Sequence, residues 1–370
     1  MAKLFVNGRN DNYQLTDVKC DIEQYGLPIV QVPKYIKNTP KKLVCVSTGC
    51  GHSIFINEKG KIFGVGDDQN CQLGTSKREI YKDIIEIKMS QKEKVTWAAC
   101  GYDYTIFVTE NGQLIFNGKG KSEITISLPK KAVFVAAGSD APCAIDRVGD
   151  IHLFSKNIED KPKSFHLPNP VFDIARSNFF TLAVTIDGKC YGNGEFNNRK
   201  DDFVEIESLK GIKVSHVYAF SRNACAVAAD GRVFMRGPGS FGELGNGELN
   251  DSNEFVQCSI TQNVKSAALG QSFALFITKK GTVFGCGKNS LASLMLGTNQ
   301  GNISIPAESK HITEKASFAC CGNYHSFVIT ESQIVHPGVS FFNVKLNAKK
   351  EASVEPTISN LFKFLDFTPE

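Results

Sequence analysis

Gly51-His52-Ser53-Ile54-Phe55-Ile56-Asn57-Glu58-Lys59-Gly60-Lys61-Ile62-Phe63-Gly64-Val65-Gly66 is the stretch that decides the architecture. Two short runs of β-branched and aromatic residues flank a Glu-Lys-Gly turn, the pattern of a β-hairpin. Neighbouring side chains on a strand point to opposite faces, yet Ile54, Phe55 and Ile56 are all apolar, so both faces must be covered. The run reads as an inner strand sandwiched between two adjacent sheets. Gly66 ends the second run, where a small residue lets the chain turn sharply.

The outline recurs. It returns from Gly101 through Gly112 to Gly118, more faintly from Gly138 to Phe154, and from Arg176 through Asp187-Gly188 to Gly194. Further copies run from Ser221 through Asp230-Gly231 to Gly237, from Gly270 through Lys280-Gly281 to Gly287, and from Gly322 to Thr330. With His52, Tyr104, Ala141, Phe179, Asn223, Phe273 and His325 as equivalent points, the spacings are 52, 37, 38, 44, 50 and 52 residues. That period suits propeller blades rather than helical repeats. Units are linked by turns such as Gln72-Leu73-Gly74 and Glu243-Leu244-Gly245, followed by another apolar strand such as Val95-Thr96-Trp97-Ala98-Ala99. Such a unit finds partners for both faces only when its neighbours stack radially. The chain starts with half a unit, Lys3-Leu4-Phe5-Val6-Asn7-Gly8, and the last copy is strong in its first half and weak at Ile334-Val335-His336-Pro337-Gly338. The expected fold is therefore all-β, a seven-bladed β-propeller over residues 1–338 whose N-terminal strands complete the last blade and remove the exposed edge. Residues 339–370 form a C-terminal extension, read as a short packed segment, a flexible tail or a docking peptide.

Composition agrees with a globular chain. Of 370 residues, 42% are hydrophobic and 22% charged, and a net charge of +4 is too weak to imply nucleic acid. No run approaches the ~20 apolar residues of a membrane span, and the N-terminus lacks the apolar core of an export signal. The expectation is an intracellular protein, cytoplasmic or nuclear, without membrane or direct nucleic-acid contact. The twelve cysteines then read as buried free thiols. Cys45 and Cys50 have no zinc-like spacing, no Cys-x-x-Cys occurs, and the side chains of Cys320 and Cys321 point opposite ways on a strand, so no metal site is expected. Gly64-Val65-Gly66, Gly118-Lys119-Gly120 and Gly192-Asn193-Gly194 lie in β repeats and open no helix to cradle a phosphate, so no nucleotide cofactor is expected either. The basic run Lys34–Lys42 reads as a solvated loop. No Gly-x-Ser-x-Gly elbow marks a Ser-His-Asp hydrolase.

The succession of Gly-x-x-His-Ser, apolar strand, Asp-Gly, Val-Phe, Gly and Gln-Leu-Gly resembles the regulator of chromosome condensation family, the RCC1-like repeats. The resemblance covers roughly residues 1–338 and is strongest in copies one, two, five, six and seven. It implies a seven-bladed propeller. It also implies one of several functions, since the same ring serves as exchange factor, ligase-associated domain, photoreceptor and adaptor. The founding member is an exchange factor for the small GTPase Ran, and its acidic GTPase-facing positions match Asp103 and Asp140, with a further histidine matching His325. This sequence departs from it in three places. Ser221-Arg222-Asn223 lacks the fifth-copy histidine, residues 120–129 leave little room for the wedge-like insertion, and no basic tail precedes Lys3.

Two functions follow as expectations. One is a non-enzymatic scaffold that binds a protein partner through propeller loops, with Tyr102, Phe241 and Tyr324 as aromatic anchors and Asp103, Asp140, Arg222 and His325 around the same rim. The other is guanine-nucleotide exchange on a Ran-like small GTPase, with Asp103, Asp140 and His325 as contacts. Whether the chain acts as an enzyme is left open. His52 reads as structural, an imidazole bonded into a neighbouring strand or turn.

Overall fold

The computed structural model describes residues 3–90, 92–196, 202–299 and 301–330. Within them, 29 strands form seven antiparallel sheets, and helical structure is confined to one 3-10 turn, Glu207–Leu209. Blade 1 runs outward through Leu43–Thr48, His52–Asn57, Ile62–Asp67 and Ile80–Ile87. Blades 2 to 6 repeat this order, with innermost strands Val95–Cys100, Ala132–Ala137, Val171–Arg176, Val214–Phe220 and Val264–Gly270. Blade 7 is composite: Ala316–Cys321 and His325–Thr330 are continued by Lys3–Arg9, Leu27–Ile36 and Ile22–Gln24. Each innermost strand neighbours the next, and Ala316–Cys321 returns to Leu43–Thr48, so the ring is closed.

The closing register is Lys3 against Thr330 through Gly8 against His325. Asn7 pins it from inside: its Nδ2 donates to the carbonyls of Val30 and Gln31 at 2.8 and 2.9 Å, and its Oδ1 accepts from the Met295 amide at 2.9 Å. Closure by N-terminal strands is as expected. The segment Ile334–Gly338 and the extension 339–370 lie outside the described residues.

Burial peaks at the second strand of each blade and falls toward the outer edge. The second strands of blades 2, 4, 5, 6 and 7 are buried at every residue, whereas the outermost strand of blade 2, Lys121–Ile126, is half-buried to exposed. The all-apolar runs are thus explained by blades packing on both faces. Phe55 and Phe327, both fully buried, meet edge to face at 5.8 Å between blades 1 and 7. Burying a side chain of this size stabilises the ring by about 1.5–3 kcal/mol.

Two details of the sequence reading are corrected. Ser53-Ile54-Phe55-Ile56 is the second strand of its blade; the channel is lined by the linking strand before it, Leu43–Thr48. In copy four the position equivalent to His52 is Phe180, because its carbonyl accepts from Ser177 N as that of His52 accepts from Gly49 N. The spacings there become 39 and 43 residues (141 to 180, 180 to 223). Phe179, just before Phe180, therefore takes the position equivalent to Asp103.

The repeat motif has a steric basis. The ring at the His52 position folds back over the turn that precedes it, and a Cβ on Gly49 would lie 2.3 Å from His52 Cε1. Gly101 with Tyr104, Gly270 with Phe273 and Gly322 with His325 repeat this clash, at 2.0, 2.0 and 2.2 Å. The following hydroxyl latches one blade to another: Ser53 Oγ donates to Gln14 O and Thr105 Oγ1 to Gln72 O, at 2.9 and 2.8 Å, and Ser326 Oγ bonds Ser293 O. The acceptors sit in the Gln72-Leu73-Gly74 turn and its equivalents Gln14-Leu15-Thr16 and Ser293-Leu294-Met295. The left-handed residues Tyr13, Cys71, Gly242 and Ala292 occupy equivalent places before these turns and Glu243-Leu244-Gly245.

Candidate partner-binding rim

Every turn between a first and a second strand emerges on the same face, so seven short turns surround one mouth of the channel. They bond to one another. Tyr102 N donates to Ser139 O at 3.0 Å, Asp140 N to Asn178 Oδ1 at 2.9 Å, Gln271 N to Asn323 O at 2.9 Å, and Asn323 Nδ2 to Cys50 Sγ at 3.0 Å. Tyr104, buried beneath, donates its hydroxyl to Gly138 O at 2.7 Å. The mouth opens into a cavity of about 210 Å³ lined by small residues, among them Ser47, Ala99, Ala136, Ala175 and Ala268.

Upon this rim stands a ring of unlike side chains at one equivalent position: Gly51, Asp103, Asp140, Phe179, Arg222, Ser272 and Tyr324. Asp103 and Asp140 come from adjacent blades, and Lys119 interacts electrostatically with both. Its Nζ donates to the carbonyls of Asp140 and Lys156 and lies 5.4 Å from the centre of the Tyr104 ring. Burial pulls the Lys119 pKa down, and the two carboxylates only partly offset it. Lys156 pairs with Asp140 at 2.6 Å. Tyr102, 56% exposed, projects beside this group.

A second cluster lies on the next two blades, 4 and 5. The Arg222 guanidinium stacks 4.1 Å over Phe179 and pairs with Glu195 at 3.0 Å; Arg236 stacks 3.9 Å over Phe196. Phe241, half-buried on the loop before the outer strand of blade 5, carries Lys288 at 4.9 Å. Tyr324, also half-buried, lies 5.9 Å from Arg9, which bonds Asp11 and is raised in pKa chiefly by that bond. Cations thus sit on aromatic faces around much of the rim, an arrangement that holds both groups in fixed orientation.

The structure brings six of the seven named residues to this face; His325 is the exception. It is fully buried, with neither ring nitrogen bonded, beneath the rim against Gly322. Its first-half likeness to His52 is structural: His52 is equally buried and shares a 3.0 Å hydrogen bond with Thr105 Oγ1 of the next blade. Lys119, Phe179 and Phe196 were missed. Lys119 stood inside a Gly-x-Gly triplet weighed only against phosphate binding; its left-handed backbone, φ 52°, marks a tight turn instead.

A closed seven-bladed ring with a chemically varied turn face defines the class, a seven-bladed β-propeller. Residues 59–108 match the regulator of chromosome condensation (RCC1) repeat. The chain is 23% identical to the ultraviolet-B receptor UVR8 of Arabidopsis thaliana, over 79% of this chain and 76% of that protein. It is 25% identical to the regulator of chromosome condensation of Xenopus laevis, over 70% of this chain and 62% of that protein. Its fold is similar to that of Prp20p from Saccharomyces cerevisiae, studied for binding to Gsp1p and histones, with a TM-score of 0.76 at 15% identity, covering 89% and 91% of the two chains. These matches support an RCC1-like repeat family for the chain. No helix of the described residues is long and apolar enough to cross a membrane.

Proposed function

We propose that this propeller is a protein-interaction scaffold whose partner docks on the turn face around the channel mouth. One observation carries this reading: hydrogen bonds tie together the turns of blades 2, 3 and 4 and those of blades 6, 7 and 1, while the side chains above them differ from blade to blade. A stiff surface loses little conformational freedom on binding, and its exposed tyrosine and arginine groups are the residue types that anchor interfaces. A photo-crosslinking residue placed at Tyr102, and separately at exposed Lys59 in the hairpin turn on the opposite face, tests the face. Adducts with the same partner from position 102 and none from 59 support it; adducts from 59 alone overturn it.

A second reading is guanine-nucleotide exchange on a Ran-like small GTPase, favoured by the adjacent carboxylates Asp103 and Asp140 on the same rim. Exchange would proceed by differential binding of the nucleotide-free GTPase, with no bond made or broken. Buried His325 would support the rim from below rather than touch the GTPase. Release of a fluorescent guanine nucleotide from Ran, with catalytic amounts of this protein, is the assay. Acceleration lost in Asp103→Ala/Asp140→Ala supports exchange at this rim, and no acceleration by the folded wild type removes the Ran-directed reading.

A further inference from the structure

Away from the rim, blade 3 holds a serine, a histidine and an aspartate in one hydrogen-bonded line. His152 lies on the third strand, Ile151–Leu153, directly across from Ser164 on the outermost strand, Lys163–Phe165. The Ser164 Oγ is 2.9 Å from His152 Nδ1, and His152 Nε2 is 3.1 Å from Asp146 Oδ2. The imidazole and the carboxylate are buried, with side chains 4% and 1% exposed, while Ser164 is open to solvent. The other oxygen of Asp146 accepts the amides of Val148 and Asp150, each at 3.0 Å, in the turn at Gly149.

This network sets the direction of each bond. An ionised carboxylate only accepts, so Nε2 must carry the proton it donates to Asp146. With the imidazole neutral, Nδ1 has a free lone pair that accepts from the Ser164 hydroxyl. Nucleophile, base and orienting group are thereby arranged as covalent catalysis requires, with the nucleophile on the exposed side.

We propose that Ser164 is an activated acyl-acceptor site for small activated esters and related phosphonyl electrophiles, with His152 as its base and Asp146 as a positioning residue. Ser164 Oγ attacks the carbonyl carbon as its proton passes to His152 Nδ1. The bond to the leaving oxygen breaks, and that oxygen takes the proton back from the imidazolium, leaving an acyl-serine and a free alcohol. With a fluorophosphonate the attack is at phosphorus, the P–F bond breaks, and fluoride leaves with the proton, giving a phosphonyl-serine. The step assigned to this site is the acylation of Ser164.

The test is covalent labelling of the full chain by a fluorophosphonate probe, with the modified residues read by mass spectrometry. Ser164 should react at least about 10²-fold faster than the exposed Ser155, the lower end of what a positioned base contributes. Asp146→Asn retains an oxygen for the two turn amides but presents an amide N–H to the ring. It should switch His152 to the Nδ1-protonated tautomer, visible in ¹⁵N spectra, and abolish the advantage while the circular dichroism stays unchanged. His152→Gln should do the same to labelling. Reaction of Ser164 no faster than Ser155 in the wild type, or undiminished labelling in a folded Asp146→Asn variant with the switched tautomer, would overturn the assignment.

Discussion

At the scale of single residues, the histidines of the repeat are determinants of stability. His52 and His325 are fully buried, and burial lowers the pKa of each to about 3 from an ordinary 6.5. The unfolded chain therefore takes up protons below pH 6.5 that the folded chain refuses, and stability falls as pH drops from 6.5 toward 3. Each histidine adds a slope approaching about 1.4 kcal/mol per pH unit in that window. Blade 6 shows how to remove one of them: Phe273 occupies the position of His325, over Gly270 as His325 lies over Gly322. His325→Phe should fold and should lose roughly half of the histidine-dependent slope in urea denaturation between pH 6.5 and 4.5. An unchanged slope would show that His325 is not held neutral in the native state. The identity of these residues was legible from the repeat; their burial was not, because a histidine beside a turn glycine looks the same on a rim as beneath it.

At the scale of elements, the blades are joined by hydroxyl latches as well as apolar packing. Thr105 Oγ1 donates to Gln72 O at 2.8 Å and lies 3.0 Å from His52 Nε2, so one side chain of blade 2 serves a loop and a strand of blade 1. Thr105→Val keeps the shape and leaves both partners unsatisfied. The expected loss is about 1–3 kcal/mol, measured as a shift in denaturation midpoint at unchanged m-value. A neutral result would mean that the carbonyl of Gln72 finds water instead. The strands and hairpin turns were readable because short β-branched and aromatic runs and the Lys-Gly and Asp-Gly turns are local signals. The one-residue slip at Phe179 arose where Ser177 replaces the marker glycine, leaving no local signal for the register.

At the scale of the molecule, everything depends on closing a ring from both ends of the chain. Lys3–Arg9 lies between His325–Thr330 and Leu27–Ile36, with Val6 fully buried and Leu4 nearly so. Removing residues through Arg9 would bare the edge of His325–Thr330 and the apolar side of blade 7, an invitation to intermolecular pairing. The truncated chain should elute as oligomers or aggregate and lose its cooperative transition, and a peptide of residues 1–36 added in trans should restore both. A monomeric, cooperative truncation product would show that six and a half blades suffice.

The sequence by itself determined the number of blades, the hairpins and the closure, because short strands, turn glycines and half-units at the two ends are written in neighbouring residues. Only the tertiary structure decided which residues share a surface. Asp103, Asp140 and Lys119 meet because adjacent blades bring their turns to one rim, and the same stacking sends His325 inward. Asp146, His152 and Ser164 come into line through strand register, with no signature in their spacing. Side-chain proximity across a sheet, or between blades tens of residues apart, follows from the radial packing of the whole ring, and no local pattern encodes it.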